Sequence, residues 1–370
     1  MSERHNAARI IGLLVDRRRD PPRRIYCEAR TRRERPCLGS RVVTRKVGVV
    51  TRQHDAVRQA AGKVATFPAG CFDVVSRQLK RFSTDQLRII QSDDSSVTFD
   101  TELRTEQLIE MRYFTNVFAI VDERNLSSCR SALRGAAYRL LGSVQGNPTK
   151  IPEDRRAFLT ARLERDLRLT PRSVGTTNDF VLMTRSSGPE ILTVRLARSK
   201  RKREALPAGA LRPELVHILL LVAGVKDKHT LLDPFAGSGA IIQEARRGFG
   251  VRRVIGVEQD AHLRGALGNS GRADDARVLV TIENGSIDRI VTDPPWGLYA
   301  SLGEDDGRQM YDQSLIAMHR VLAPGGVAVV LSGSGALTNA IAAAEGFSVL
   351  KRLPILVSGK KAAIIKLQKT

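Results

Sequence analysis

The chain has 370 residues, 42% of them hydrophobic, and a formal net charge of +21 from 60 Lys+Arg against 39 Asp+Glu. No apolar run approaches the roughly 18–20 residues of a membrane span and the N-terminus has no apolar signal core, so neither a membrane-spanning nor a secreted protein is expected. The four cysteines (Cys27, Cys37, Cys71, Cys129) are scattered with no Cys-x-x-Cys pair, which argues for a reducing, cytoplasmic setting and against a zinc site or disulfide framework.

That length suits two or three domains. The positive excess points to a polyanionic partner, most simply nucleic acid, and says little about fold. Residues 1–63 hold 17 Lys+Arg against 6 Asp+Glu, a net of +11, so about half of the excess sits in one sixth of the chain. Runs such as RRRDPPRR show neither a helical nor a strand period, and the segment is expected to be disordered. Two readings of it stay open: an RNA-binding arm, or translated sequence ahead of a true start near Lys63.

From Val64 the texture changes. VATF predicts a short strand. CFDVVSRQLKRF has Phe72, Val75, Leu79 and Phe82 at helical spacing. LRIIQ and SVTFD predict two strands around a polar turn at Ser92–Ser95, ELRTEQLIEMRYF a second helix, and NVFAIV another strand. The order β-α-β-β-α-β is that of a ferredoxin-like unit over 64–125. Residues 127–166 are arginine-rich and expected to be mostly helical, in SSCRSALRGAAYRLL and RRAFLTARLERDL. DFVLMTR and ILTVRLAR predict a strand pair, and RSKRKRE (198–204) a charged linker.

A third texture starts at Leu206. LRPELVHILLLVAG has Pro213 at a helix start and Gly224 just past its end. Strands and helices then alternate: TLLD, a helix near 239–247, VRRVIGV, RIVTD, a helix over 308–322, VAVVLS, a helix over 335–344, VLKRLPILV and AAIIKLQ. This alternation predicts a doubly wound, Rossmann-like, mostly parallel α/β sheet over 206–370. The last two strands are joined by a tight Ser-Gly-Lys turn, so the final strand is expected to insert antiparallel.

Three features of this region carry chemistry. In LLDPFAGSGAII a strand ends at Asp233, and Gly237 and Gly239 let a ligand approach the backbone before the next helix. The P-loop lysine is absent, and Ile242 stands where a dinucleotide fingerprint has its third glycine. Glu258 ends the next strand, 19 residues after Gly239, where an acid accepts hydrogen bonds from ribose hydroxyls. Then Asp293-Pro-Pro-Trp-Gly297 follows a strand, 60 residues after Asp233. Two prolines cannot extend a hydrogen-bond ladder, so the strand stops at Thr292 and a stiff loop stands at its carboxyl edge. That is the edge on which such sheets bind ligands. The loop suits methylation of an exocyclic amine: the Asp293 carboxylate and the Pro294 carbonyl accept the two N–H bonds, while Trp296, the sole tryptophan, offers a π-face to the base. No metal is required.

The pair DPFAGSG (233–239) and DPPWG (293–297) resembles the S-adenosylmethionine-binding and amine-methylating motifs of class I methyltransferases. The order excludes the permuted adenosine methyltransferases, which place the Asp-Pro-Pro motif first. With ALRPELVHILLLVAG before it and VATFPAGCFDVVSRQLKRF further upstream, residues 64–370 resemble the THUMP-domain-containing RNA methyltransferases, which make N2-methylguanosine in tRNA. The resemblance implies a THUMP-like RNA-binding region over 126–205. It implies that Asp233, Pro234, Ala236, Gly237, Ser238 and Gly239 bind S-adenosylmethionine, with Asp233, Gly237 and Gly239 around its methionine part. Glu258 would hold the ribose, and Asp275, followed by Ala276, would read the adenine amine. The strand expected before Asp275 is hard to find in GRADDARVLVTIENG, which looks shortened. Asp293, Pro294, Pro295 and Trp296 would form the catalytic loop. The leading expectation is therefore a guanosine-N2 methyltransferase acting on tRNA. Its rivals are an adenine-N6 methyltransferase on RNA or DNA, an NAD-dependent oxidoreductase, and a non-catalytic RNA-binding protein with a relic cofactor pocket.

Overall fold

A computed structural model describes residues 62–172, 177–186, 188–199, 210–296 and 304–370. The basic segment up to residue 61, most of the charged run 198–204, and Gly297 lie outside the described residues.

The first unit runs β1 (Lys63–Thr66), α1 (Phe72–Leu79), β2 (Leu87–Ser92), β3 (Ser96–Thr101), α2 (Thr105–Glu110) and β4 (Asn116–Ile120). The strands lie in the order β2-β3-β1-β4, all antiparallel, which is the ferredoxin-like arrangement. The polar turn between β2 and β3 is held by Asp93, whose Oδ1 accepts the N–H groups of Ser95 and Ser96 at 2.9 and 2.6 Å. Helix α2 is shorter than its sequence pattern suggests, because Arg112 turns left-handed at φ 67° just beyond it.

The next stretch departs from expectation. Residues 127–166 are not mostly helical: after a 3-10 turn at Leu126–Ala132 come strands β5 (Ala137–Val144) and β6 (Asn147–Thr149), and only then helix α3 (Glu153–Leu167). AYRLLGSV alternates between a buried face with Tyr138, Leu140 and Gly142 and a half-buried one with Arg139, Leu141 and Ser143. Tyr138 and Leu140 pack with Phe180 and Leu182 on one side, while Leu141 packs with Val181 and Met183 on the other. The doublets Ala137-Tyr138 and Leu140-Leu141 blur that alternation, so the segment mimics a helix in sequence. Short β7 (Thr170–Pro171), β8 (Asn178–Thr184) and β9 (Ile191–Arg198) complete the unit. Strand β9 pairs with β4, so one nine-stranded sheet runs β2-β3-β1-β4-β9-β8-β5-β6, with β7 beside β5.

The C-terminal half begins with α4 (Pro213–Ala223), closed by Gly224 in the left-handed region. Then follow β10 (Thr230–Asp233), α5 (Ala240–Phe249), β11 (Arg253–Val257), α6 (Ala261–Leu267), β12 (Gly271–Arg272), β13 (Ile287–Thr292), α7 (Glu304–Val321), β14 (Leu322–Ser332), α8 (Gly335–Ala343), β15 (Phe347–Val357) and β16 (Lys360–Lys369). The sheet order is β12-β11-β10-β13-β14-β16-β15. All pairs are parallel except those of β16, which inserts antiparallel between β14 and β15 as the tight turn requires. The strand sought before Asp275 exists but is two residues long, paired with the end of β11. Among the described residues no helix is long and apolar enough to cross a membrane.

The two halves share a core. Val75, Leu79 and Phe114 of the ferredoxin-like unit pack in one cluster with Leu215, Leu219, Leu353 and Ile355 of the C-terminal half. Each fully buried leucine in such a cluster contributes about 1.5–3 kcal/mol. At the rim of this core Arg112 makes a bidentate pair with Glu244 on α5, at 2.7 and 2.6 Å. His217 Nδ1 on α4 lies 2.7 Å from the same carboxylate. Glu244 is only 4% exposed, so these hydrogen bonds satisfy a carboxylate that water scarcely reaches.

Candidate active site

One cleft of about 1520 Å³ opens at the carboxyl edge of the C-terminal sheet. The structure brings Asp233, Pro234, Ala236, Gly237, Ser238, Glu258, Asp275, Asp293, Pro294, Pro295 and Trp296 onto its wall. Gly239 is not on that wall. It stands at the start of α5 with φ 84°, and a Cβ there would lie 2.6 Å from Leu267 Cδ2, so it serves the turn and helix packing. A Cβ added at Gly237, by contrast, meets nothing within 4 Å among the described residues, which leaves room for a ligand to approach the backbone. This open glycine loop beside a strand-end acid fits an adenosyl cofactor.

Glu258 reaches back to that loop: Oε2 accepts the Gly237 N–H at 2.9 Å, and Oε1 accepts the Asp260 N–H at 2.9 Å. Each oxygen keeps a lone pair for a further donor. The adjacent acids differ in their engagements. Asp274, buried, accepts from Asp275 N, Thr281 N and Thr281 Oγ1 at 2.7, 2.7 and 2.6 Å and so shapes the loop. Asp275 pairs with Arg277 at 2.5 Å, which holds its carboxyl below the usual range.

Asp233 is 1% exposed, and burial pushes its carboxyl up to about 7, against hydrogen bonds from Thr292 and Phe235 N. The Thr292 hydroxyl donates to Asp233 Oδ1 at 2.8 Å, so the last residues of β10 and β13 are tied side by side. Asp293 follows at once, half-buried, and burial likewise pushes it up to about 7. Its Oδ1 accepts the Trp296 indole N–H at 2.8 Å. The turn is clamped from α7, where the buried Tyr311 hydroxyl donates to the Pro295 carbonyl. The arrangement can accept hydrogen bonds from an amine at a desolvated carboxylate held rigidly beside an open glycine loop.

Several participants escape sequence reading. Thr292 and Tyr311 are visible only as a strand end and a core stripe. The far wall of the cleft comes from the ferredoxin-like unit, with Thr66, Phe67, Thr115 and Asn116, and from the β15–β16 turn, with Ser358 and Lys360. Glu214, 2% exposed at the start of α4, also lines the cleft, with Oε1 lacking a hydrogen-bond partner among the described residues.

The sheet order, the glycine loop with its strand-end acid, and the Asp-Pro-Pro turn define a class I methyltransferase domain, whose cofactor is S-adenosylmethionine. Residues 200–262 and 259–353 match the model of the UPF0020 family, described as an RMKL-like methyltransferase domain. Among curated proteins, the chain is 35% identical over 136 residues to a tRNA (guanine(10)-N2)-dimethyltransferase of Methanothermobacter thermautotrophicus, covering 34% of this chain and 39% of that protein. It is 33% identical over 147 residues to a tRNA (guanine(6)-N2)-methyltransferase of Thermus thermophilus, covering 36% and 43%. It is 29% identical over 139 residues to the Bos taurus U6 snRNA (guanine-N(2))-methyltransferase THUMPD2, covering 35% and 27%. The chain thus spans less than half the length of the curated relatives it matches. Among solved structures, TrmN from Thermus thermophilus aligns with a TM-score of 0.67 at 21% identity, over 84% of this chain and 99% of that one. SMU.472 complexed with S-adenosylhomocysteine aligns with a TM-score of 0.59 at 12% identity, over 83% and 97%. These structural likenesses concern the fold.

Proposed function

We propose that this chain is an S-adenosylmethionine-dependent RNA methyltransferase that methylates guanosine N2 in a cytoplasmic tRNA. The observation that carries the reading is the Asp293 carboxylate on a clamped Pro-Pro turn, tied through Thr292 to Asp233 beside the glycine loop. The names of the three relatives support guanosine N2 as the amine, and the net charge of +21 supports an RNA partner.

S-adenosylmethionine supplies an electrophilic sulfonium methyl when bound. Asp233, Pro234, Ala236, Gly237 and Ser238 hold its methionine end on a loop whose turn Gly239 completes, Glu258 takes the ribose, and Asp275 stands near the base. Asp293 and the Pro294 carbonyl accept the two N–H bonds of the target amine, drawing its lone pair out of the ring. As the N–C bond forms, the proton shed by the amine passes to the Asp293 carboxylate, which a carboxyl near 7 can receive and release at neutral pH. Trp296 borders the place where the base enters. The ferredoxin-like unit and the THUMP-like region over 126–205 position the RNA.

Nucleoside mass spectrometry tests the reading. RNA from a strain lacking this protein should be missing N2-methylguanosine present in the parent. Loss of N6-methyladenosine instead would establish the adenine rival. A domain that shows no heat of binding and no thermal shift with S-adenosylmethionine would establish the relic pocket.

A further inference from the structure

Trp296 is the one tryptophan in the chain, and it does more than present a ring. Its indole Nε1–H donates to Asp293 Oδ1 at 2.8 Å. Its six-membered ring lies against the backbone of Gly333, just past the end of β14, where any Cβ would overlap it. Apolar side chains of the shared core pack against it as well. The ring is therefore fixed on two sides, and its N–H is aimed at the carboxylate three residues earlier. No other hydrogen bond reaches the Asp293 carboxylate among the described residues, so Oδ2 is left for an incoming donor.

The surroundings make this single donor matter. Asp233 and Glu258 stand on the neighbouring strand ends and Glu214 at the start of α4, all acidic and all on the same cleft. Arg212 before α4 and Lys360 in the β15–β16 turn are the cations on its wall from that side, with Arg277 on the loop by Asp275, and Tyr311 contributes from α7 through the Pro295 carbonyl. None of these cations bonds Asp293, so burial pushes it towards its neutral form, and a neutral carboxyl cannot receive the amine's proton. A hydrogen bond donated to a carboxylate favours the charged form.

We propose that Trp296 is a positioning residue that acts through its indole N–H: it orients the Asp293 carboxylate towards the target amine and keeps it ionised. The proposal rests on Asp293 being the amine acceptor. A phenyl or phenol ring could stack on a base equally well and would leave Asp293 without its donor.

The experiment replaces Trp296 with 3-benzothienylalanine, which keeps the bicyclic ring and exchanges the N–H for sulfur, and separately makes Trp296→Phe. In both, the acid limb of kcat against pH on a tRNA transcript should move up by about one pH unit. Activity near neutral pH should fall about tenfold and return towards the parent value at about pH 9, with KM for RNA unchanged in the benzothienyl variant. A second readout needs no turnover. The single indole N–H resonance of the full chain should titrate with a midpoint near 7 in the parent and lose that dependence in Asp293→Asn. A benzothienyl variant with the parent's pH profile, or an indole resonance that ignores pH, overturns the proposal. A parent that methylates no RNA amine overturns the function alone, because the resonance still reports the Trp296–Asp293 bond.

Discussion

The Thr292 hydroxyl donates to Asp233 Oδ1 at 2.8 Å, and the two residues are 0% and 1% exposed. One hydrogen bond thus joins the strand that carries the glycine loop to the strand that carries the Asp-Pro-Pro turn. Because burial raises Asp233 from 3.8 to about 7, the folded protein holds this proton more tightly than the unfolded chain. The stability this provides is complete below about pH 4 and is lost as pH rises through about 7. Asp233→Asn keeps an oxygen for Thr292 and removes the buried charge. Its melting temperature should exceed the parent's at alkaline pH, with the difference shrinking to nothing at acid pH, while cofactor affinity falls. A melting-temperature difference that is constant with pH would assign the titration to another group.

Asp293→Ala should separate chemistry from cofactor binding. In the proposed mechanism the variant removes a preorganised acceptor that acts only at the reacting amine, so kcat should drop by about 10²–10³ while S-adenosylmethionine affinity by calorimetry stays near the parent value. Parent-level methylation by this variant would remove Asp293 from the mechanism.

Gly333→Ala should lift the Trp296 ring, since a Cβ there overlaps it. The single tryptophan makes the effect directly visible: its fluorescence should shift to the red as the indole meets water, and turnover should fall with it. Gly335→Ala, two residues on at the start of α8, is the control, because a Cβ there meets nothing within 4 Å.

Arg112→Ala should remove the bidentate guanidinium partner of the Glu244 carboxylate, which is only 4% exposed. Removing one member of such a pair costs about 3–5 kcal/mol, and denaturant titration should show a loss of that order. Arg112→Lys should recover only part of it, because an ammonium cannot make the two parallel bonds.

Much of the fold was legible in the chain. The alternation after Leu206 and the proline–glycine bracketing of α4 are local signals, and each corresponds to an observed element. The β-α-β-β-α-β order was legible for the same reason. AYRLLGSV was misread because the doublets Ala137-Tyr138 and Leu140-Leu141 blur the alternation of β5, and nothing local tells such a stretch from a helix. The two-residue β12 was nearly invisible because it exists only through its pairing with β11. In the cleft, Asp233, Glu258 and Asp293 announced themselves by standing at strand ends. Thr292, Tyr311 and Gly333 did not, because a threonine ending a strand, a tyrosine on a core stripe and a glycine after a strand are each ordinary until their partners are known.

By itself the amino-acid sequence determined which residues could do chemistry and on which edge of a sheet they would stand. Turn chemistry and strand ends are set by neighbours a few positions apart, so a linear reading reaches them. Only the tertiary structure decided that the Trp296 indole serves Asp293 as a hydrogen-bond donor, that Gly239 packs against Leu267 rather than lining the cleft, and that a ferredoxin-like unit supplies the far wall. Those outcomes depend on side chains brought together from distant parts of the chain, where burial, close packing and the partnering of buried polar groups select one arrangement.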